Sequence, residues 1–215
     1  MAMSLIPNPT LTDAGNPAKP TGSFGTEMLK YMNEEHNDLT QWALDLFDYC
    51  ADDDLLDIGC GGGATLRSLS ERISGGHLTG VDYSEISVAL SKETNADLIA
   101  AGRMDIVEGS VADLPFGDDS FDKIITVESF YFWPDPVDSL KEVRRVLSCG
   151  GVFMLVSEIY ERPDLTQHVR ENIEKYHMNV PGIEEFKALF ADAGFSECRI
   201  NTKEKEFWIA VMGIK

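Results

Sequence analysis

Two carboxylates sit at the ends of consecutive apolar runs, with a glycine-rich turn between them. Asp57 lies in Leu55-Leu56-Asp57-Ile58, the turn is Gly59-Cys60-Gly61-Gly62-Gly63, and Asp82 closes the next run. Glycines remove Cβ atoms, so backbone amides approach a ligand closely and φ can turn positive. A carboxylate after the second run accepts both hydroxyls of a ribose diol, a strong and oriented contact. The chemistry implied is the gripping of an adenosine. Its identity stays open at this level, because Gly59-x-Gly61-x-x-Ala64 followed by Asp82 also fits a loose dinucleotide fingerprint and hence a nicotinamide-dependent oxidoreductase. Asp57 bears on the choice. A carboxylate two residues before the first glycine suits an ammonium group and a nearby sulfonium, and is awkward beside a pyrophosphate. Its plainer role would be to cap the glycine turn.

Such a site needs strands that end together and helices that start there. Apolar runs predict strands over 54–58, 77–82, 105–107, 121–127 and 152–156, with two more over 197–202 and 207–212. Helical patterns fall between them, over 64–73, 85–95 with Ser84 as cap, 136–146 with Asp135-Pro136 as cap and first residue, and 183–193. Strands alternating with helices argue for an α/β fold, a Rossmann-like doubly wound sheet of seven strands. It is expected to be mainly parallel, with an antiparallel C-terminal edge hairpin. Residues 1–24 read as a flexible N-terminal arm, and 25–215 as a single domain. Within that domain 25–50 form a helical cap whose second part carries Leu39, Trp42, Ala43, Leu46 and Phe47 at one-face spacing, and 159–180 form a variable lid segment.

With a formal net charge of −19 over 215 residues, the chain repels phosphate backbones, which disfavours a nucleic-acid partner. No apolar run is long enough for membrane insertion, and no secretory leader is visible, so a cytoplasmic location is expected. Cys50, Cys60, Cys149 and Cys198 have neither paired nor regular spacing; neither a disulfide frame nor a metal site is expected from them.

Two further segments complete the pattern. Leu114-Pro115-Phe116-Gly117-Asp118-Asp119-Ser120-Phe121-Asp122 is a turn-rich loop feeding a strand, and Glu128-Ser129-Phe130-Tyr131-Phe132-Trp133-Pro134 follows that strand. With the glycine turn, Asp82 and the later Leu147-Ser148-Cys149-Gly150-Gly151, this ordered set resembles the class I S-adenosylmethionine-dependent methyltransferases, in the small-molecule group called methyltransferase type 11.

The resemblance implies S-adenosyl-L-methionine as cofactor, with S-adenosyl-L-homocysteine as product, and a small-molecule acceptor. Gly59, Cys60 and Gly61 would pack on the methionine part and ribose, Asp57 would orient the amino group, and Asp82 would hold the ribose hydroxyls. Tyr83, Ser110 and Val111 would lie beside the adenine, although the family commonly has an acidic residue where Ser110 stands. Glu128 would fall near the sulfonium. Methyl transfer is an in-line displacement that needs alignment and, for some acceptors, a base. The candidates are His36, Tyr131 and Glu158, with His177 as a more distant one; Trp42 and the aromatics of 130–133 could wall the acceptor pocket or simply pack in the core. A cofactor-binding regulatory protein without turnover is the alternative of another class.

Overall fold

In a computed structural model describing residues 16–203 and 205–215, the chain forms one seven-stranded sheet covered by helices on both faces. Helices α1 (Gly22–Glu35) and α2 (Asn37–Leu44) precede strand β1 (Leu55–Ile58). Then follow α3 (Ala64–Ser70), β2 (Leu78–Asp82), α4 (Glu85–Thr94), α5 (Ala96–Ala100), β3 (Met104–Glu108) and β4 (Phe121–Val127). A single turn of 3₁₀ helix at Phe130–Phe132 leads to α6 (Pro136–Val146), β5 (Leu147–Ser157), α7 (Gln167–Lys175), α8 (Ile183–Asp192), β6 (Glu197–Lys203) and β7 (Trp208–Ile214).

The strand order is β3-β2-β1-β4-β5-β7-β6. The first five strands pair in parallel, and β7 runs antiparallel to both β5 and β6. The connections reverse direction between β1 and β4, which makes the carboxyl ends of those two strands the crevice where open α/β sheets bind ligands.

Period-two alternation divides the core cleanly between the faces. Leu56, Ile58, Ile124, Phe153, Leu155, Ile209 and Val211 pack with Leu140 and Val143 of α6 and Phe186 and Phe190 of α8. Their immediate neighbours Leu55, Ile125, Met154, Val156 and Ala210 face the other way, against Leu39 and Leu44 of α2 and Leu66 and Leu69 of α3. β1 is buried on both faces, which is why it reads as a continuous apolar run broken only by Asp57.

Several boundaries differ from expectation for local reasons. α2 ends at Leu44, and Leu46 and Phe47 continue the apolar face from a turn rather than a helix. α3 stops at Ser70, with Ile73 buried beyond its end. After α6, Leu147 already pairs with Phe121, and Gly150-Gly151 form an irregularity inside β5 before Val152 pairs with Lys123. A Cβ on Gly151 would come within 2.8 Å of the Ser148 carbonyl. The 159–180 segment is not loop throughout: it contains α7, capped by Thr166, whose Val169 packs with Tyr131, Ile159 and Leu165 in a third small core. The arm expected over 1–24 lies outside the described residues up to position 15; the stretch from Asn16 makes a turn and enters α1. Among the described residues, no helix is long and apolar enough to cross a membrane.

The turn-rich loop before β4 owes its shape to one side chain. Arg145 of α6 donates to the Leu114 and Phe116 carbonyls and to the Asp118 and Glu142 carboxylates, while Glu142 accepts the Leu114 N–H. That loop is thereby tied to α6.

Candidate functional site

A cavity of about 330 Å³ opens at the carboxyl ends of β1 and β4, a size suited to a small ligand. The turn after β1 forms its floor. Gly59 has φ +72°, and a Cβ there would come within 2.3 Å of Ser129 Oγ, so only glycine lets β1 pass this close to the loop after β4. Gly61, at φ +52°, would place a Cβ in ordinary contact with Leu29 Cδ2 (3.8 Å) and sends its N–H to Asp82 Oδ2 (3.0 Å). Asn95 holds the turn from behind by donating to the Gly63 carbonyl (3.0 Å), and Thr126 of β4 donates to the Ile58 carbonyl (2.8 Å). The glycine turn is thereby a stiff ledge.

Asp82 Oδ1 accepts the Ser84 N–H (2.9 Å), so both of its oxygens are anchored to backbone and the carboxylate is aimed before any ligand arrives. Each oxygen keeps a lone pair for a hydroxyl donor. Asp57 is 1% exposed, and its Oδ2 has no hydrogen-bond donor. Burial, and then the charge of Asp82, push its carboxyl up to about 8. An uncompensated buried carboxyl facing a ligand cavity is suited to a cation. Among the described residues the lining carries the carboxyl groups of Asp57, Asp82 and Glu128 and neither lysine nor arginine. A donor bearing an ammonium, a sulfonium and a ribose diol fits this lining; a pyrophosphate would find acidic groups there and no lysine or arginine among the described residues to offset its charge.

The other wall is built differently. Glu128, at φ +57°, ends β4 and turns its side chain into the protein. Its Oε1 accepts the Tyr131 hydroxyl (2.9 Å) and the Glu158 N–H, and its Oε2 lies 4.0 Å from His36 Nε2. The Tyr131 oxygen also accepts the Ile159 N–H (3.2 Å). Glu158 is buried directly after β5. Burial and the neighbouring Glu158 charge raise the Glu128 carboxyl, and burial with the charge of Glu35 raises Glu158. Burial lowers His36 to about 4, so its imidazole is neutral at physiological pH.

The residues singled out from the sequence divide into two groups. His36, Asp57, Gly59, Cys60, Gly61, Asp82, Tyr83, Ser110, Val111 and Glu128 all line the cavity. Tyr131 and Glu158 stand behind Glu128 instead, touching the cavity through it. The Tyr83 hydroxyl donates to the Ala18 carbonyl, and Pro17, Ala18 and Pro20 lie over this end of the cavity. Ser110 accepts the Ala112 N–H (3.2 Å), which turns the loop. Burial pushes the Cys60 thiol well up, leaving it inert. His177 is exposed after α7. Of the aromatics, Phe132 and Trp133 line the cavity, whereas Phe130 is core and Trp42 packs on Trp208 with centroids 5.9 Å apart. Sequence reading missed Ser129, which accepts the Trp133 indole N–H (2.9 Å), and Asn33 of α1, poised over Gly62. Their types are common, and only the folded arrangement singles them out.

In sequence and in fold the chain is similar to known methyltransferases. A family described as "Methyltransferase domain" matches residues 56–155. The chain is 31% identical to demethylmenaquinone methyltransferase of Staphylococcus aureus, over 68% of this chain and 69% of that protein. It is 28% identical to a chloroplastic 2-methyl-6-phytyl-1,4-hydroquinone methyltransferase of rice (Oryza sativa subsp. japonica), over 68% of this chain but 42% of that one, so it spans under half of that longer relative. A SAM-dependent methyltransferase from Aquifex aeolicus superposes with a TM-score of 0.72 at 19% identity, covering 88% of this chain and 97% of that one, a likeness of fold.

Proposed function

The chain belongs to the class I S-adenosylmethionine-dependent methyltransferases, and from that premise we propose that it methylates a small, uncharged or cationic molecule. The observation that carries the reading is the cavity lining: an anchored Asp82, a donorless buried Asp57 and, among the described residues, no lysine or arginine. S-adenosylmethionine supplies an electrophilic methyl group on a sulfonium. In this reading Asp82 takes the ribose hydroxyls, Asp57 the ammonium, and the Gly59–Gly61 backbone the intervening chain. Tyr83, Ser110 and Val111 border the adenine. Glu128 faces the sulfonium, and its position is held by Tyr131 and by the Glu158 N–H.

The acceptor then enters between Phe132, Trp133 and His36. An aromatic wall with neutral His36 beside Glu128 suits a ring hydroxyl or a ring carbon, and the relatives named for hydroquinone and demethylmenaquinone methylation act on such rings. His36 and Glu128 are the groups that line the cavity where the acceptor's proton would lie; the Tyr131 hydroxyl and the Glu158 N–H hold Glu128. A phosphorylated acceptor, or nucleic acid, would meet the same acidic lining as a pyrophosphate.

Titration calorimetry with S-adenosylhomocysteine, beside thermal melting with NADH, tests the cofactor. Micromolar binding of the first and no stabilisation by the second are expected; the reverse would overturn the reading. Incubation with methyl-labelled S-adenosylmethionine and a panel of hydroquinones, phenols and amines tests turnover. Tight cofactor binding with no transfer to any class would favour the regulatory alternative.

A further inference from the structure

His36, Glu128 and Glu158 are separated widely in sequence and arrive from three elements: the joint between α1 and α2, the end of β4 and the end of β5. One ligating atom from each lies within 4.8 Å of the other two. His36 Nε2 and Glu128 Oε2 are 4.0 Å apart, too far for a hydrogen bond. Two donors on one ion with bonds of about 2.0–2.2 Å stand up to about 4 Å apart, so a small inward movement would bring this pair and Glu158 onto a shared centre.

Among the described residues the two carboxylates are left without a cation. Oε1 of Glu128 is engaged by Tyr131 and by the Glu158 N–H, which steers Oε2 toward the imidazole. Glu158 is 4% exposed, and among the described residues its Oε1 has no hydrogen-bond donor. Among the described residues no lysine or arginine forms an ion pair with either carboxylate. Two buried carboxylates and an imidazole without a cation form a donor set of the hard-to-borderline kind that divalent first-row metals prefer.

We propose that His36, Glu128 and Glu158 bind one divalent first-row cation, of the Mn²⁺ or Zn²⁺ type, in the wall of the cavity. Because His36 and Glu128 line the cavity, the ion's remaining positions open toward it, where an acceptor hydroxyl can enter. There the ion acts as a Lewis acid. The hydroxyl releases its proton to water, its oxygen forms the bond to the methyl group, and the sulfur–methyl bond breaks with its electron pair staying on sulfur as a thioether. The acceptor role rests on the methyltransferase reading; ion binding does not.

The test uses the full chain, stripped with chelator and then titrated with MnCl₂ or ZnCl₂ in the absence of cofactor and acceptor. One equivalent bound per chain at micromolar affinity, confirmed by elemental analysis after gel filtration, is expected. Glu158→Gln and His36→Gln should each weaken binding at least tenfold with unchanged circular dichroism. Asp82→Asn, in the opposite wall, should leave it within about twofold. No stoichiometric binding to the wild-type chain overturns the proposal, as does binding that survives both substitutions. Should a variant fail to fold, the paramagnetic broadening that Mn²⁺ causes in the His36 ring protons of the wild-type chain decides the matter: broadening supports the site and its absence refutes it. S-adenosylhomocysteine calorimetry on the metal-free chain is independent, so a failed metal site is distinguishable from a failed methyltransferase reading.

Discussion

The two walls of the cavity solve different problems. The β1–β2 wall is made of short local pieces: a glycine turn whose amides and small residues do most of the work, and two aspartates at strand ends. The β4–β5 wall is assembled from three segments that meet only after folding: His36, the loop carrying Glu128 and Tyr131, and Glu158. On the first wall Asp82 is anchored by backbone N–H groups beside the donorless Asp57 Oδ2; on the second, Glu128 is held by the Tyr131 hydroxyl and the Glu158 N–H beside the donorless Glu158 Oε1. A wall that recognises a constant ligand can be written as a contiguous motif. A wall that handles the reacting end is tuned through burial and mutual charge, and it leaves little trace along the chain.

The largest effect expected is on the first wall. Asp82→Asn keeps an acceptor for one of the two backbone N–H groups but loses the charge, and S-adenosylhomocysteine affinity should fall about 100-fold, roughly 3 kcal/mol, in calorimetry. Unchanged affinity would erase the distinction between the walls. Asp57 comes next. Its carboxyl titrates near 3.8 when unfolded and about 8 when folded, so the folded state holds the extra proton and stability of the cofactor-free chain falls as pH rises between those values. Asp57→Asn removes that slope. The variant should exceed the wild type by about 2 kcal/mol or more in urea unfolding at pH 9, match it near pH 4, and bind cofactor about tenfold more weakly. A wild-type curve with the same slope as the variant would show that Asp57 already has a partner.

Glu128→Gln sharpens the contrast further. A carboxylate facing a sulfonium should favour the charged donor over its neutral thioether product, so the variant should lose about fivefold in S-adenosylmethionine affinity, about 1 kcal/mol, and little for S-adenosylhomocysteine. Equal losses for both would move Glu128 out of the sulfonium's neighbourhood. The smallest effect belongs to residues outside both walls: replacing Cys50, Cys149 and Cys198 together by serine should leave cofactor affinity within about twofold and stability within about 1 kcal/mol. A large loss of affinity would implicate a thiol that neither wall contains.

The sheet was legible because its strands are short apolar runs bounded by glycine, proline and aspartate, and the cavity-lining residues of the first wall lie inside those boundaries. Helix ends were less so. At α2 the buried stripe runs through Leu46 and Phe47 after the helical hydrogen bonding has stopped, so periodicity reports burial and overstates the helix. α7 escaped notice because Gln167–Lys175 is polar on most of its surface and buries only Val169 and Asn172. Glu158 is suggested by its place after a strand, and Tyr131 by the family resemblance of its loop. Both stand behind Glu128, which adopts a positive φ that glutamate's usual preferences do not announce.

The order of the last two strands carries a consequence for how the molecule is made. β6 precedes β7 in sequence yet pairs only with it, while β7 fills the gap beside β5. Until β7 inserts, β6 has no template, and the β5 edge that bears Glu158 at its end stays open and prone to mispairing. Closure of the sheet is therefore a late, non-local event, joining segments on either side of α7 and α8. A proline at Val211 would do more than damage one strand: it would strand β6 as well, and populate a half-built sheet in which the glycine turn and Asp82 are formed while the opposite wall is not.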